Sequence, residues 1–175
     1  LGCFGLASYL FAYTPLKTRT TLCTTIGAVP GAIPALMGWT AARHEISAGA
    51  WILFAILFFW QFPHFFAIAW MYREDYARAG IRMLPVVDPD GRRTGRRIVF
   101  YTIALVGVSL LPTAFGLLGT WYLVGAVLLG GYFLWEGVRA ARTRARPHAR
   151  RVLKASILYL PLLLGLMCLD LPAVP

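Results

Sequence analysis

Two adjacent carboxylates, Glu74 and Asp75, stand between Arg73 and Arg78 just past an apolar run that carries Pro63 and His64. Carboxylates beside guanidinium groups at the mouth of a membrane suit an anion held through a divalent metal. Mg²⁺ takes one or two carboxylates and completes its shell with phosphate oxygens and water, while Lys and Arg neutralise charge developing on a departing phosphate. Mg²⁺-diphosphate is the simplest ligand that needs both signs in one place. The same pair also reads as the solvated C-terminus of a helix, with local ion pairs to Arg73 and Arg78. The helix dipole disfavours carboxylates there, and on the residues alone the two readings stand level. One pair is a poor site for a fully charged metal-diphosphate, so a second carboxylate cluster is expected beyond this chain. His64 also has two readings: a histidine bonded to backbone groups freed by Pro63, or a contact to a polar or metal-bearing substrate.

These residues must be positioned by membrane helices. The 175 residues are 59% hydrophobic with mean hydropathy +0.67, too apolar for an ordinary soluble domain. Apolar segments near 1–14, 21–42, 49–72, 98–116, 121–138 and 154–171 approach the roughly 20 residues that cross a bilayer core. They are continuously apolar, which excludes the alternating pattern of a β-barrel. The expected class is an all-α polytopic membrane protein with six helices in one transmembrane domain over 1–175. Leu1 lies inside an apolar run with no signal peptide, and an N-terminal part is expected upstream of it.

Charge supports this count. With loops placed on alternate sides, 16 of the 17 Lys and Arg residues fall on one side and only Arg43 on the other. The positive-inside rule makes the basic side cytoplasmic, or matrix-facing in a mitochondrion. The net charge of +10 therefore reflects topology, and no nucleic-acid partner is expected. The run 139–151 is read as topology-fixing charge, with anionic lipid head groups as the alternative. Asp88-Pro-Asp-Gly91 is a β-turn pattern. Gly27, Pro30, Gly31, Pro34 and Gly38 indicate close helix packing. Cys3, Cys23 and Cys168 are isolated and read as small core residues. Asp170 and the closing prolines are placed at the far interface.

Four stretches then carry a resemblance: Tyr13-Thr-Pro-Leu-Lys-Thr-Arg-Thr20, Gly27-Ala-Val-Pro-Gly-Ala-Ile-Pro-Ala-Leu-Met-Gly-Trp39, Pro63-His-Phe-Phe-Ala-Ile-Ala69, and Arg73-Glu-Asp-Tyr-Ala-Arg-Ala-Gly-Ile81 followed by Met83-Leu-Pro-Val-Val87. In type and order they resemble the haem O synthases, protohaem IX farnesyltransferases of the UbiA-type intramembrane prenyltransferases. The resemblance implies a nine-helix bundle, with this chain starting near helix four and a first acidic motif upstream; the chain alone is then expected to be inactive. It implies farnesyl transfer from farnesyl diphosphate to a vinyl group of haem B, with Mg²⁺ as cofactor. The second acidic motif maps onto Asp75, with Glu74 beside it as a further metal ligand; Arg78 and Ala79 stand where superfamily members often have a second Asp. Lys17 and Arg19 match the basic pair that contacts diphosphate, and Arg73 and Arg78 extend it. Tyr13 matches the aromatic residue that shields an allylic cation, a task suited to an electron-rich ring face, and His64 becomes a haem contact. Membrane lipid, association with proteins of terminal-oxidase haem biosynthesis, and a bacterial inner membrane (or a mitochondrial one) complete the expectation.

Other classes predict other patterns. A relative acting on an aromatic acid or a chlorophyllide would differ at Pro63-His64 and Arg73-Glu-Asp-Tyr76. A transporter would spread ionisable groups along its helices, whereas here only Gln61 and His64 lie deep. A non-catalytic assembly factor would survive Asp75→Asn with haem O still made.

Overall fold

Backbone conformations that only certain residues adopt easily set where the helices stop. In the computed structural model, which describes residues 1–170, helix α1 (Gly2–Ala7) passes through a π-helical stretch (Ser8–Tyr13) into α2 (Thr14–Leu16). Helix α3 (Cys23–Arg43) ends at His44 in the left-handed region, φ 58°. After α4 (Ala48–Met71), Tyr72 departs from helical geometry and a short α5 (Arg73–Arg78) follows. Then come α6 (Leu84–Val87), α7 (Arg92–Ala114), α8 (Thr120–Thr143) and α9 (Arg146–Leu169). Gly91, at φ 65°, opens α7, and Arg144, at φ 54°, closes α8.

The architecture is all-α, with no strand among the described residues. Helix α4 is the hub: it packs against α3, α7 and α9, while α8 packs on both α7 and α9 and the first helical segment lies on α3. Helices α4, α7, α8 and α9 are each long and apolar enough to cross a membrane. Helix α3, at 21 residues, is about 31 Å long. Phe11, Trp51, Phe100, Trp121, Leu128 and Trp135 are exposed, as large apolar side chains of a polytopic membrane protein are where they face lipid. Of the cysteines only Cys23 is buried; Cys3 and Cys168 are exposed, so the core reading holds for one of three. Residues 171–175, with the closing prolines, lie outside the described residues.

The helices run further into the basic loops than hydropathy indicates. Helix α7 begins at Arg92, α8 continues to Thr143, and α9 starts at Arg146, so most of the run 139–151 is helical. Arg and Ala are strong helix formers, and long basic stems lie along a helix end while their heads reach water. A helix therefore need not stop where hydrocarbon stops.

Buried polar groups join the elements. Tyr122 Oη donates to the Ser109 carbonyl, and the Ser109 hydroxyl meets Tyr159 Oη, both at 2.7 Å, linking α7, α8 and α9. Asp170 Oδ2 accepts the Tyr122 amide at 2.9 Å and caps the first turn of α8. The turn at Asp88–Gly91 forms as the sequence indicates, with the Gly91 amide on the Asp88 carbonyl at 3.1 Å. Asp88 Oδ2 also accepts the Thr94 amide (2.8 Å) and hydroxyl (2.9 Å) at the start of α7. Losing that buried carboxylate leaves both donors unpaired. Asp88→Ala is expected to destabilise the protein by about 1–2 kcal/mol, read as a lowered thermal midpoint in detergent, with Asp88→Asn retaining part of the loss.

Candidate functional site

Helix α3 can lie close to its neighbours because it presents glycine at two positions one turn apart. A Cβ on Gly27 would stand 2.7 Å from the Tyr13 ring, and one on Gly31 would overlap the Gln61 side chain. The glycines expected to pack helix on helix thus accept two bulky side chains, Tyr13 and Gln61. Gln61 is held there by Nε2 donating to the Ala28 carbonyl (3.2 Å) and the Leu57 carbonyl (3.3 Å). Tyr13 stacks on Tyr9, ring centroids 5.1 Å apart.

Between the first helical segment, α3 and α4 lies a cavity of about 590 Å³. Tyr9, Tyr13, Lys17, Thr24, Gln61, Phe65, Tyr76 and Met83 all line it. Tyr13 and Lys17 share one helical face, because the Lys17 amide bonds the Tyr13 carbonyl at 3.0 Å. The Arg82 amide donates to the Lys17 carbonyl at 2.9 Å, so the loops after α2 and after α5 meet on one side of the bundle. Gln61 sits about 15 Å of helix before the end of α4. The cavity therefore runs from a rim carrying Lys17 and Tyr76 to a floor near mid-membrane. Thr24 Oγ1 is buried on its wall with no partner among the described residues. The sequence alone did not single out Tyr9, Thr24 or Phe65; Tyr76 entered with the Arg73-Glu-Asp-Tyr76 stretch, and Gln61 only through its deep placement.

The acidic pair does not stand at the C-terminus of a helix. Glu74 and Asp75 occupy the first turn of α5, because Tyr72 breaks the helix before them. The dipole penalty expected at a helix C-terminus does not apply; the first turn favours carboxylates. Asp75 pairs with Arg78, as a local ion pair should, but Glu74 pairs with Arg146 of α9. Glu74, Asp75, Arg73, Arg78 and Arg19 are exposed and lie outside the cavity lining, whereas Lys17 and Tyr13 are half-buried within it. Among the described residues no group of three or more His, Cys, Asp or Glu side chains could enclose a metal. Two exposed carboxylates on one turn fit Mg²⁺ that draws most of its shell from diphosphate and water, and do not fit an all-protein cage.

His64 bonds across helices instead of to backbone freed by Pro63: its Nδ1 lies 2.8 Å from Ser156 Oγ on α9. Trp60 stacks on the imidazole, centroids 4.6 Å apart, and its Nε1 donates to the Ser156 carbonyl at 2.8 Å. No local spacing could reveal a partner 92 residues away.

The UbiA prenyltransferase family profile matches residues 1–163. Among curated relatives, a "Protoheme IX farnesyltransferase" of Solibacter usitatus is 60% identical over 99% of this chain and 60% of its own length. Proteins of the same description are 51% identical in Koribacter versatilis (93% of this chain, 54% of theirs) and 50% in Salinibacter ruber (93% and 57%). The chain thus spans little more than half the length of the curated relatives it matches. No solved structure matches it.

Proposed function

The chain belongs to the UbiA prenyltransferase family, and on that premise we propose that the protein transfers a farnesyl group from farnesyl diphosphate to a vinyl group of haem B, giving haem O. The description of its relatives as protoheme IX farnesyltransferases supports the choice of donor and acceptor. The observation that carries it is the cavity joining a cationic rim at Lys17 to an apolar interior at Phe65. That is the shape a diphosphate with a long hydrocarbon tail requires.

In the reaction the C1–O bond of farnesyl diphosphate breaks and its electron pair leaves with diphosphate. The vinyl π electrons form the new C–C bond. Water adds to the resulting cation beside the macrocycle and loses a proton. Lys17 binds the diphosphate head and offsets its growing charge, with Arg19, Arg73 and Arg78 adding positive potential at the mouth. Tyr13, stacked on Tyr9, turns a ring face toward the allylic carbon. The apolar walls exclude water until the C–C bond has formed. Asp75, with Glu74 beside it, would hold Mg²⁺, which when bound neutralises part of the diphosphate charge. The excess of Arg on one side orients this face toward the cytoplasm in a bacterial inner membrane, or toward the matrix in a mitochondrial one.

Membranes carrying the full-length protein, supplied with farnesyl diphosphate, Mg²⁺ and haem B, are expected to yield haem O by mass spectrometry. Transfer to an added aromatic acid in place of haem would overturn the choice of acceptor.

A further inference from the structure

A second cavity, about 510 Å³, opens between the end of α4 and the start of α9. Arg146, Arg150, Arg151 and Lys154 line it together with Met71, and no carboxylate does. Arg146 is engaged by Glu74. Arg150, Arg151 and Lys154 have no ion pair among the described residues. Three cations gathered in one concave site, with Glu74 at its edge taken up by Arg146, are arranged for a ligand bearing more than one negative charge.

His64 lies on the same side. It precedes Met71 by two helical turns, about 10 Å of rise, and its partner Ser156 lies two residues beyond Lys154 on α9. The hydrogen bonds there fix the imidazole. Ser156 Oγ donates its proton to the Leu153 carbonyl at 2.7 Å, so it can only accept from His64. Nδ1 is then the protonated nitrogen and Nε2 carries the free lone pair. That is the arrangement in which a histidine coordinates a metal through Nε2 while its other nitrogen is held by a hydrogen bond. The Phe65 ring, which lines the prenyl cavity, meets the His64 ring edge-on with centroids 5.4 Å apart. The two sites share that wall.

We propose that the α4–α9 face is the acceptor subsite: a metal macrocycle with two carboxylates binds with its iron toward His64 Nε2 and its propionates on Arg150, Arg151 and Lys154. Ser156 is a positioning residue that sets the tautomer and aim of His64. The assignment rests on haem being the acceptor, and it gives the macrocycle its own entry beside the donor cavity. The propionates stay at the basic aqueous face, the ring lies along α4 toward mid-membrane, and its vinyl edge reaches past the Phe65 ring to contact C1 of the prenyl donor.

The test is haem B binding by absorbance, with the full-length protein in nanodiscs. The combined Arg150→Gln, Arg151→Gln, Lys154→Gln variant is expected to lose about tenfold to a hundredfold in affinity for haem B and to bind haem dimethyl ester, whose carboxylates are blocked, as the parent does. Ser156→Ala is expected to shift the Soret band and Ser156→Thr to restore it, with farnesyl diphosphate binding unchanged in both as the check on folding. Unaltered haem affinity in the triple variant overturns the subsite and leaves the acceptor reading standing. So does a variant that loses only its association with phosphatidylglycerol vesicles, which makes the cavity a lipid site. A parent protein that binds no haem at all removes the acceptor reading itself, and the subsite with it.

Discussion

Lys17→Gln is expected to lower kcat/KM for farnesyl diphosphate by about 10²–10³-fold, and Arg19→Gln, two residues on, to cost far less. The contrast follows from where the two side chains sit. Lys17 is half-buried on the lining of the prenyl cavity, tied to Tyr13 by a helical hydrogen bond and to the following loop by the Arg82 amide. Its charge acts at the mouth of an apolar space, where a fixed cation is worth more than in water. Arg19 is exposed and outside that lining, so its charge is screened by salt. Asp75→Asn is expected to reduce the rate comparably and to raise the Mg²⁺ concentration needed for half-maximal activity; Arg78→Gln, which frees Asp75 from its ion pair and removes one exposed, salt-screened charge from the mouth, is expected to leave most of the activity. Initial rates against farnesyl diphosphate and against Mg²⁺, measured in one membrane preparation, separate the two roles. Equal losses in Lys17→Gln and Arg19→Gln would show that the charge acts as a general surface field and not at a seated head group.

What the sequence disclosed and what it hid divide along physical lines. Hydrocarbon requires long apolar segments, so the helices around α4, α7, α8 and α9 are visible in composition. Arginines cluster where water is, so the shared side of the Lys17 and Asp75 loops is visible too, and the Arg82–Lys17 bond closes it. Tyr13 and Lys17 share a helical face only because the helix runs on to Leu16, past the point near residue 14 where the apolar run ends and a loop is expected. Helix ends are poorly visible because Arg92 and Arg146 continue a helix as readily as they leave the membrane. Glu74-Asp75 could stand at the end of one helix or the start of another; only the backbone break at Tyr72 decides, and no residue type there announces it. The partners of Glu74 and His64, Arg146 and Ser156, come from α9, and pairing across that separation is a property of packing.

Gly31→Val is expected to destabilise the protein by about 2–3 kcal/mol and to impair turnover at the same time. Gly31 is the one point on α3 where a Cβ would run into the Gln61 amide. Gln61 cannot easily swing aside, since Nε2 is committed to the carbonyls of Ala28 on the opposing helix and Leu57 on its own. A branched side chain must either part α3 from α4 or break that amide's bonds and push it into the prenyl cavity. The hydrogen bond contributes little to this cost: interhelical bonds in membranes average about 0.6 kcal/mol. Overpacking at the α3–α4 contact is the larger part. The two routes are told apart by Gln61→Ala, which removes the obstruction. On its own it should cost about 1 kcal/mol. Combined with Gly31→Val it should recover much of the lost stability, giving a strongly non-additive cycle. If the double variant melts as low as the sum of the single losses, α3 is held from α4 by something other than Gln61. If stability returns but turnover does not, the amide itself shapes the floor on which the prenyl chain lies, which makes Gln61 a determinant of chain length as well as a strut between helices.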